Sequence, residues 1–334
     1  MRELELIETI RRGSVGPRSL RRSPVALGVG DDCAVLRIPA GHEVLVTTDF
    51  SLEGRHFRRD WHSPESVGYR CLARGLSDLA AMGANPLAAF LSLALPAEML
   101  ATAKGQAWVR RFFAGLRALG DLCGVSLAGG DTAEAPGGSV LADIVLVGSA
   151  PAGKALRRSG AKAGDLLYCT GALGGAAAEL AALMAGKKIR SATSPQLFPE
   201  PRLAVGAALL RRGLATACMD MSDGLSTDLA HLCRASGVNA EIQFENLPVH
   251  LAAGRLTIAE KRKAVLHGGE DYELLFAAPA AMKMPRTIAG VPITPIGRFV
   301  RRKAGASMMT LIETDGTREP LEAQGWEHFS EGSR

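Results

Sequence analysis

The chain has 334 residues, about twice the length of a typical domain, so two domains are expected. Hydrophobic residues make up 47% and charged residues 22% of the chain, a composition that excludes fibrous and largely disordered proteins. The net charge is +5, from 39 basic and 34 acidic residues. The basic residues are scattered in pairs and aromatic residues are few, which disfavours nucleic acid as a partner.

The six cysteines lie far apart without a C-x-x-C pair, so free thiols in a cytoplasmic protein are expected rather than disulfides or zinc. The N-terminal residues form a charged amphipathic pattern, which is not that of a signal peptide. Residues 79–97 carry no charge, but Asn85, Pro86 and Pro96 interrupt them. A buried helix end followed by a strand is therefore expected there, and no membrane partner.

The first half predicts the element order ββαβαββ. Ser63, Pro64 and Glu65 form an N-cap, a first-turn proline and an early acid, and Gly83 is placed to end the helix that they begin. A second helix is predicted at 98–119. Strands are predicted at 35–38, 44–48, 87–95, 126–128 and 140–147. This order favours a small sheet with helices on one face, whose other face needs a partner.

Residues 150–164 are rich in glycine and basic residues, and we place the domain boundary there, between domains 1–149 and 150–330. The second half alternates predicted helices and strands, as in an α/β or α+β domain. Helices are predicted at 174–185, 202–212 and 225–236. Strands are predicted at 165–170, 215–219, 240–244, 272–277 and 293–299.

Four segments place aspartates just after glycines or apolar runs: GDD at 30–32, TTD at 47–49, GGDT at 129–132 and DMSDG at 220–224. Taken singly, such an aspartate is more often a turn or helix-cap residue than a ligand. Asp78 differs, because it lies inside a predicted helix among apolar neighbours, where a carboxylate needs a cation or strong hydrogen bonds.

If these carboxylates converge, repulsion of about 4 kcal/mol per close pair requires bound cations. Oxygen ligands without His or Cys favour magnesium over zinc. The adjacent glycines would let backbone N–H groups approach phosphate oxygens closely. The sequence lacks the G-x-x-x-x-G-K-[ST] loop, the dinucleotide fingerprint and the protein-kinase catalytic loop, so another phosphate-binding architecture is expected.

A set of longer motifs occurs in order along the chain: GVGDDCAVL (28–36), TTDFSLEGRHF (47–57), LSDLAAMGA (76–84), GGDT (129–132), RSGAKAGD (158–165), DMSDGL (220–225), GGEDYELLF (268–276) and GWEHF (325–329). Together they resemble the thiamine-monophosphate kinases, a family within the aminoimidazole-ribonucleotide synthetase superfamily. Several motifs are common to that superfamily, whereas the combination of EGRHF, LSDLAAMGA and GGEDYEL is specific to the kinases. Leu52, Arg55 and Met221 depart mildly from the family pattern, and none of them removes a candidate ligand.

The resemblance implies an ATP-dependent kinase that phosphorylates thiamine monophosphate to thiamine diphosphate, as a homodimer whose four-stranded N-terminal sheets join into a barrel. It implies magnesium ligands at Asp31, Asp32, Thr47, Thr48, Asp49, Asp78, Asp131, Asp220 and Asp223. It implies ATP contacts at Gly130, Asp131, Arg158 and Ser222. It implies contacts to the thiamine moiety at His56, Glu270 and Trp326. Among these, the expected catalytic residues are Asp78, Asp131 and Asp220.

The acceptor phosphate is already ionised at pH 7, so direct in-line transfer needs positioning and charge neutralisation but no general base. Motifs full of carboxylates and glycines agree with this. Each residue outside the acidic set also has a structural interpretation. His56 is then a packed or surface histidine, Glu270 a turn residue, Trp326 a packing anchor and Arg158 a solvated charge.

Two alternative functions stay open. The nearer is another ATP-dependent synthetase of the same superfamily. Selenophosphate synthetases carry a reactive Cys in an N-terminal glycine-rich segment, but residues 1–27 contain none, and hydrogenase-maturation dehydratases end in Cys, whereas this chain ends in Ser333 and Arg334. The second is a non-catalytic nucleotide-binding protein, which is less favoured because convergent carboxylates repel phosphate unless they hold metal.

Overall fold

The structure is a computed structural model that describes residues 3–14, 23–303 and 305–326. The chain forms two compact units: unit 1 comprises Met1–Leu79 and Ala84–Lys154, and unit 2 comprises Ala80–Gly83 and Ala155–Arg334. Each unit contains helices and a mixed or antiparallel sheet, which confirms the mixed α/β fold in two domains. Residues 327–329 of the GWEHF motif lie outside the described residues.

Unit 1 is built on a four-stranded sheet. Its strands and those of a separate two-stranded sheet are β1 (Val25–Leu27), β2 (Val35–Leu36), β3 (His42–Leu52), β4 (Asn85–Leu95), β5 (Ser126–Glu134) and β6 (Leu141–Pro151). Its helices are α1 (Glu3–Ser14), α2 (Pro64–Ala81), α3 (Ala97–Ala101) and α4 (Ala103–Cys123). The main sheet has the order β3-β6-β4-β5, and β1 pairs with β2. Strand β6 is antiparallel to both neighbours, whereas β4 and β5 are parallel.

The two faces of this sheet differ. Leu45, Ile144 and Leu146 are buried on one face, whereas Val46 and Phe50 on the other are 65% and 60% exposed. Such alternation is the period of a strand with one face in a core. The exposed apolar face agrees with the sequence-based expectation that it needs a partner, but the dimer barrel itself stays a prediction.

Glycines let α2 pack closely within unit 1. A Cβ on Gly68 would lie 1.9 Å from the carbonyl oxygen of Phe112 on α4, and one on Gly75 would lie 2.9 Å from the Leu146 side chain on β6. The predicted start of α2 is confirmed, since the Ser63 hydroxyl accepts a hydrogen bond from the Ser66 N–H at 3.2 Å. The close packing brings the last turns of α2, and with them Asp78, against β3.

Unit 2 contains a larger sheet. Its strands are β7 (Leu166–Thr170), β8 (Ala217–Met221), β9 (Val238–Gln243), β10 (Glu273–Ala278), β11 (Thr287–Ile288), β12 (Val291–Arg301), β13 (Met309–Ile312) and β14 (Arg318–Pro320). Its helices are α5 (Gly175–Met184), α6 (Leu203–Arg211), α7 (Leu225–Ser236), α8 (Leu251–Gly254) and α9 (Ile258–His267). The order is β14-β13-β9-β12-β7-β10-β8, with β11 on β12. The β9–β13 pair is parallel and the other described pairs are antiparallel.

The sheet of unit 2 is buried on both faces. Leu275 belongs to one core cluster, with Phe299, whereas its neighbours Leu274 and Phe276 belong to the other. Every residue of β10 is buried, which explains its continuous apolar sequence after Glu273. None of the helices in the described part of the chain is long and apolar enough to cross a membrane.

Candidate active site

A cavity of about 560 Å³ lies in unit 1, lined by the loop before β2 and by strands β4 and β5. It brings together four of the predicted site residues: Asp31, Asp32, Gly130 and Asp131. All three aspartates are exposed to solvent. The remaining lining is largely apolar and includes Ile7, Ile10, Phe90, Leu93, Phe113 and Leu127. The cavity therefore has an acidic, glycine-rich part and an apolar part, as in small-molecule sites where a few polar groups orient the ligand.

The second glycine of GGDT is required by the backbone. Gly130 has φ +145, a conformation that side chains rarely adopt, and a Cβ there would lie 1.9 Å from the carbonyl oxygen of Leu91. The next residue, Asp131, accepts a hydrogen bond from the Thr132 N–H at 2.8 Å. Glycine at position 130 thus lets β5 lie against β4 and sets Asp131 at the cavity wall.

A second group of acidic residues lies where α2 packs on β3. The Thr47 hydroxyl donates a hydrogen bond to Asp78, and Arg74 lies 3.4 Å from Asp49. Burial raises the pKa of Asp49 to about 6, Arg74 opposes the rise, and the nearby carboxylates of Asp78 and Asp143 add to it. The structure therefore brings together three predicted ligands, the Thr47 hydroxyl and the carboxyl groups of Asp49 and Asp78.

Two residues of unit 1 were missed by the sequence analysis, Arg74 beside Asp49 and Asp143 on the opposite face of the sheet. Asp143 on β6 accepts a hydrogen bond from the Thr48 hydroxyl at 2.7 Å. Arg74 precedes Asp78 by one helical turn and is the cation nearest to Asp49 in the ion pairs described. A single acid within the apolar run of β6, and an (i, i+4) pair of opposite charges on α2, are the signals that could have found them.

Backbone hydrogen bonds join three motif segments within unit 2. The DMSDG segment, which begins in the last two residues of β8, accepts all three hydrogen bonds through its carbonyl oxygens. The donors are the N–H groups of Glu270 to Ser222 at 2.8 Å, of Tyr272 to Met221 at 2.9 Å and of Trp326 to Asp223 at 3.0 Å. The residues that resemble ATP and metal contacts are thereby fixed beside two that resemble thiamine contacts.

The GGEDY segment adopts a strained conformation. Glu270 and Tyr272 have φ values of +66 and +51, which cost free energy in residues other than glycine. Between them, Asp271 accepts hydrogen bonds from the N–H groups of Gly174 at 2.7 Å and Ala176 at 3.2 Å, at the start of α5. Burial raises the pKa of Asp271 to about 7, against the effect of these N–H groups.

Asp228 on α7 binds the backbone of the DMSDG segment, and the sequence analysis did not predict this role. Its carboxylate accepts hydrogen bonds from the N–H groups of Gly224 at 3.0 Å and Asp223 at 3.2 Å. Burial raises the pKa of Asp228 well above its usual range, and the carboxylates of Asp220 and Asp223 add to the rise. Asp220 itself is 3% exposed, and Asp223 is half-buried.

A buried ion pair anchors the strand that follows GGEDY. Arg202 binds Glu273 through both of its fork nitrogens, Nε at 2.8 Å and Nη2 at 2.7 Å, and the Thr170 hydroxyl donates to the same carboxylate at 2.5 Å. The Glu273 side chain is 4% exposed. The pair fixes the first residue of β10 directly after the strained segment.

Two further predicted contacts, His56 and Arg158, make other hydrogen bonds. His56 follows β3, and its Nδ1 accepts a hydrogen bond from the Leu52 N–H at 3.0 Å. Arg158 has an exposed side chain in unit 2, and its carbonyl oxygen accepts from the Ser236 hydroxyl at 3.0 Å. Their roles as thiamine and ATP contacts stay predictions.

Within the described residues, no group of three or more His, Cys, Asp or Glu side chains is arranged as a closed metal site. Magnesium does not need one, because it keeps several waters and binds one or two carboxylates together with substrate phosphates. The hard oxygen atoms of Thr47, Asp49 and Asp78 agree with that chemistry. The donor set therefore fits magnesium.

The fold and motifs define a protein of the AIR synthase related class. The family model for the N-terminal domain of AIR synthase related protein matches residues 30–150, and the model for the C-terminal domain matches residues 162–306. The two matched regions fall in unit 1 and unit 2 respectively, apart from residues 80–83.

Similar proteins identify the family within this class. A thiamine-monophosphate kinase of Escherichia coli (strain K12) is 38% identical over 320 residues, which cover 92% of this chain and 94% of the relative. The crystal structure of thiamine-monophosphate kinase from Stenotrophomonas maltophilia K279a matches with a TM-score of 0.79 and 33% identity, covering 95% of this chain and 97% of that one. A structure described as AaThiL complexed with AMPPCP and TMP matches with a TM-score of 0.73 and 29% identity, covering 88% and 89%. The chain belongs to the thiamine-monophosphate kinase family.

Proposed function

We propose that the chain catalyses the ATP-dependent phosphorylation of thiamine monophosphate to thiamine diphosphate. The observation that carries the proposal is the set of backbone hydrogen bonds that join DMSDG to Glu270 and Trp326 in unit 2. These bonds join a segment that resembles the ATP and metal contacts of the family to two residues that resemble its thiamine contacts, which supports the proposal. The kinase names of the relatives, and the ATP analogue and TMP in the AaThiL structure, support the same reaction.

The unit 1 cavity is the proposed binding site for ATP within domain 1–149. Gly130 and Asp131 lie at its polar part, where glycine lets the backbone approach the phosphates, and the apolar part suits the base. Arg158 and Ser222 of domain 150–330 are proposed as further ATP contacts, because their motifs RSGAKAGD and DMSDGL match those of the family.

The proposed cofactor is Mg²⁺, which neutralises phosphate charge when it is bound. Thr47, Asp49 and Asp78 are the ligands with the strongest structural support, since their oxygens are close together and hard. Asp78, Asp131 and Asp220 are the proposed catalytic residues within this set. The full proposed ligand set is Asp31, Asp32, Thr47, Thr48, Asp49, Asp78, Asp131, Asp220 and Asp223.

The acceptor is proposed to bind through His56, Glu270 and Trp326. Thiamine monophosphate carries a permanent positive charge on its thiazolium ring, which the carboxylate of Glu270 attracts. Trp326 is 42% exposed, and its indole face suits an aromatic cation. The acceptor phosphate is ionised at pH 7, so these residues act by holding and orienting it, and no proton has to be removed.

A homodimer is proposed, with the exposed apolar face of the unit 1 sheet as its interface. Val44, Val46 and Phe50 are 49%, 65% and 60% exposed there in the single chain. Large apolar side chains exposed together on one sheet face mark a candidate protein–protein interface, and Thr48 and Asp143 lie among them as polar residues. Sedimentation velocity of the purified protein should give twice the mass of 35.1 kDa, and a monomer at micromolar concentration would contradict the proposal.

The assay uses purified protein with ATP, Mg²⁺ and thiamine monophosphate, and separates the products by chromatography. Thiamine diphosphate and ADP should appear in equal amounts, and EDTA should stop the reaction. Free thiamine serves as a second acceptor, and its conversion to thiamine diphosphate would indicate a pyrophosphokinase instead. An absence of product under these conditions would overturn the proposed function and favour another ATP-dependent synthetase of the superfamily.

A further inference from the structure

The side chain of Gln196 contacts Glu270, the residue proposed above to bind the thiazolium end of the acceptor. Gln196 Nε2 donates a hydrogen bond to Glu270 Oε2 at 3.2 Å, and Gln196 is 1% exposed. The two residues are 74 positions apart, and no motif of the sequence analysis includes Gln196. Breaking this hydrogen bond would leave a buried amide group unsatisfied, which is unfavourable. The contact therefore restrains both side chains.

The turn that carries Gln196 is fixed on helix α5. The backbone N–H of Gln196 donates to Glu179 Oε2 at 3.2 Å, and the Ser194 hydroxyl donates to the same oxygen at 2.5 Å. The Leu197 N–H in turn donates to the Ser194 hydroxyl oxygen at 3.0 Å. The backbone of Gln196 is therefore held on α5, and its side chain reaches Glu270 from there.

The same helix also fixes the backbone next to Glu270. Asp271 accepts the N–H groups of Gly174 and Ala176 at the start of α5, as described above. The Glu270 N–H is bound to the carbonyl oxygen of Ser222. A closed ring of contacts thus runs from Glu270 through Gln196, its turn, α5 and Asp271 back to Glu270. Such a ring holds the carboxylate at its tip and at its backbone, in spite of the strained φ of +66.

We propose that Gln196 is a positioning residue for the acceptor, which orients the Glu270 carboxylate toward the thiazolium cation and so sets the affinity for thiamine monophosphate. A carboxylate has about four acceptor positions, of which the Gln196 amide uses one. An oriented carboxylate binds a cation without first losing side-chain entropy, and this gain is confined to the acceptor. The inference rests on the proposed function, because the role of Glu270 comes from it.

The test is the Gln196→Met variant, which keeps the length and shape of the side chain and removes the amide. The KM for thiamine monophosphate should rise about tenfold, which corresponds to about 1.4 kcal/mol. The kcat and the KM for ATP should stay within about twofold, because the lost contact concerns acceptor binding alone. Titration calorimetry with thiamine monophosphate should show the same weakening of Kd without turnover.

The matched control is Gln243→Met, at an exposed glutamine whose amide oxygen accepts a hydrogen bond from Asn246. It should leave both KM values and kcat unchanged. An unchanged KM for thiamine monophosphate in Gln196→Met would overturn the inference. A lower unfolding temperature with kcat and both KM values affected alike would also overturn it, in favour of a purely structural role. A wild-type protein that neither binds nor phosphorylates thiamine monophosphate would overturn the proposed function and this inference with it.

Discussion

Two part-buried acidic residues of unit 1, Asp49 and Asp78, have different partners from two acidic residues of unit 2, Asp228 and Asp271. In unit 1, Asp49 and Asp78 contact other side chains, Arg74 and Thr47, at the junction of α2 and β3. In unit 2, Asp228 and Asp271 bind backbone N–H groups and thereby shape the loops beside them. A carboxylate bound to a side chain can release that side chain and bind a cation without unfolding a loop. A carboxylate that binds buried backbone N–H groups cannot do so, because the loop would lose its hydrogen bonds. We therefore predict that Asp49 and Asp78 serve the chemistry, whereas Asp228 and Asp271 shape the backbone of the site.

The largest effect is expected for Asp78→Asn. If Asp78 serves chemistry, kcat/KM for thiamine monophosphate should fall by about 10³-fold or more, because the amide has no charge to bind Mg²⁺. The fold should survive, since an amide oxygen can still accept the Thr47 hydroxyl. Steady-state kinetics and circular dichroism measure the two effects. The control is Asp121→Asn on the exposed face of α4, and full activity of Asp78→Asn would remove Asp78 from the metal site.

The next largest effect is expected for Arg202→Met, which tests how much the buried Arg202–Glu273 ion pair contributes to the free energy of unfolding. The change leaves the Glu273 carboxylate buried without its cation, which typically costs about 3–5 kcal/mol. Urea-induced unfolding followed by fluorescence and circular dichroism gives the change in the free energy of unfolding. A loss below about 1 kcal/mol would mean that the ion pair does not support β10.

A further prediction concerns the pH dependence of the free energy of unfolding, to which Asp271 contributes. The pKa of Asp271 is about 7 in the folded protein against an ordinary value of 3.8, so between these values the folded state holds a proton that the unfolded state releases. Stability contributed by this carboxyl is present at low pH and is lost as the pH rises toward 7. Asp271→Asn has no such proton.

The free energy of unfolding of the wild type, measured by urea titration at pH 5 and pH 7, should therefore fall more steeply over this interval than that of Asp271→Asn. The expected difference is about 1–3 kcal/mol, from a maximal slope of about 1.4 kcal/mol per pH unit. Parallel pH dependences in the two proteins would show that the Asp271 carboxyl is ionised at both pH values.

The smallest effect is expected for Arg111→Met. Arg111 binds Glu65 with the same two-nitrogen fork as Arg202 uses for Glu273, at 2.5 and 2.9 Å, but its side chain is 57% exposed. Water screens an exposed pair, so the free energy of unfolding should change by less than about 1 kcal/mol. Urea titration under the conditions used for Arg202→Met makes the two values directly comparable. Equal losses in the two variants would show that burial does not set the strength of these pairs.

Most of the correct fold predictions came from signals between residues close together in the sequence, such as helix caps, prolines and apolar spacing. The cap at Ser63, the proline after it and the apolar spacing of α2 lie within a few residues of one another, and the helix forms as expected. The predicted helix 98–119 is instead two helices, because Thr102 is extended and its hydroxyl caps α4 by accepting from Gly105. The short strands β13 and β14 were missed. Strand β13 pairs with β9, which lies far away in the sequence, and β14 is only three residues long.

The candidate site shows the same limit. Motifs identified Asp49, Asp78 and Glu270 because each stands in a recognisable segment. Gln196 and Asp143 stand in no motif, and their contacts with Glu270 and Thr48 exist only after chain segments 74 and 95 residues apart have met. Periodicity and turn chemistry act over a few residues and contain no information on such contacts.

The position of β6 has a consequence for biosynthesis. It is the last strand of the unit 1 sheet in the chain, yet it lies between β3 and β4 and pairs with β3 along its whole length, from His42 with Pro151 to Leu52 with Leu141. At about 5–20 residues per second, translation from β3 to β6 takes roughly 5–20 s, during which β3 has no neighbour in this sheet. A ribosome that pauses in this interval would therefore expose an apolar strand edge that promotes aggregation of the nascent chain.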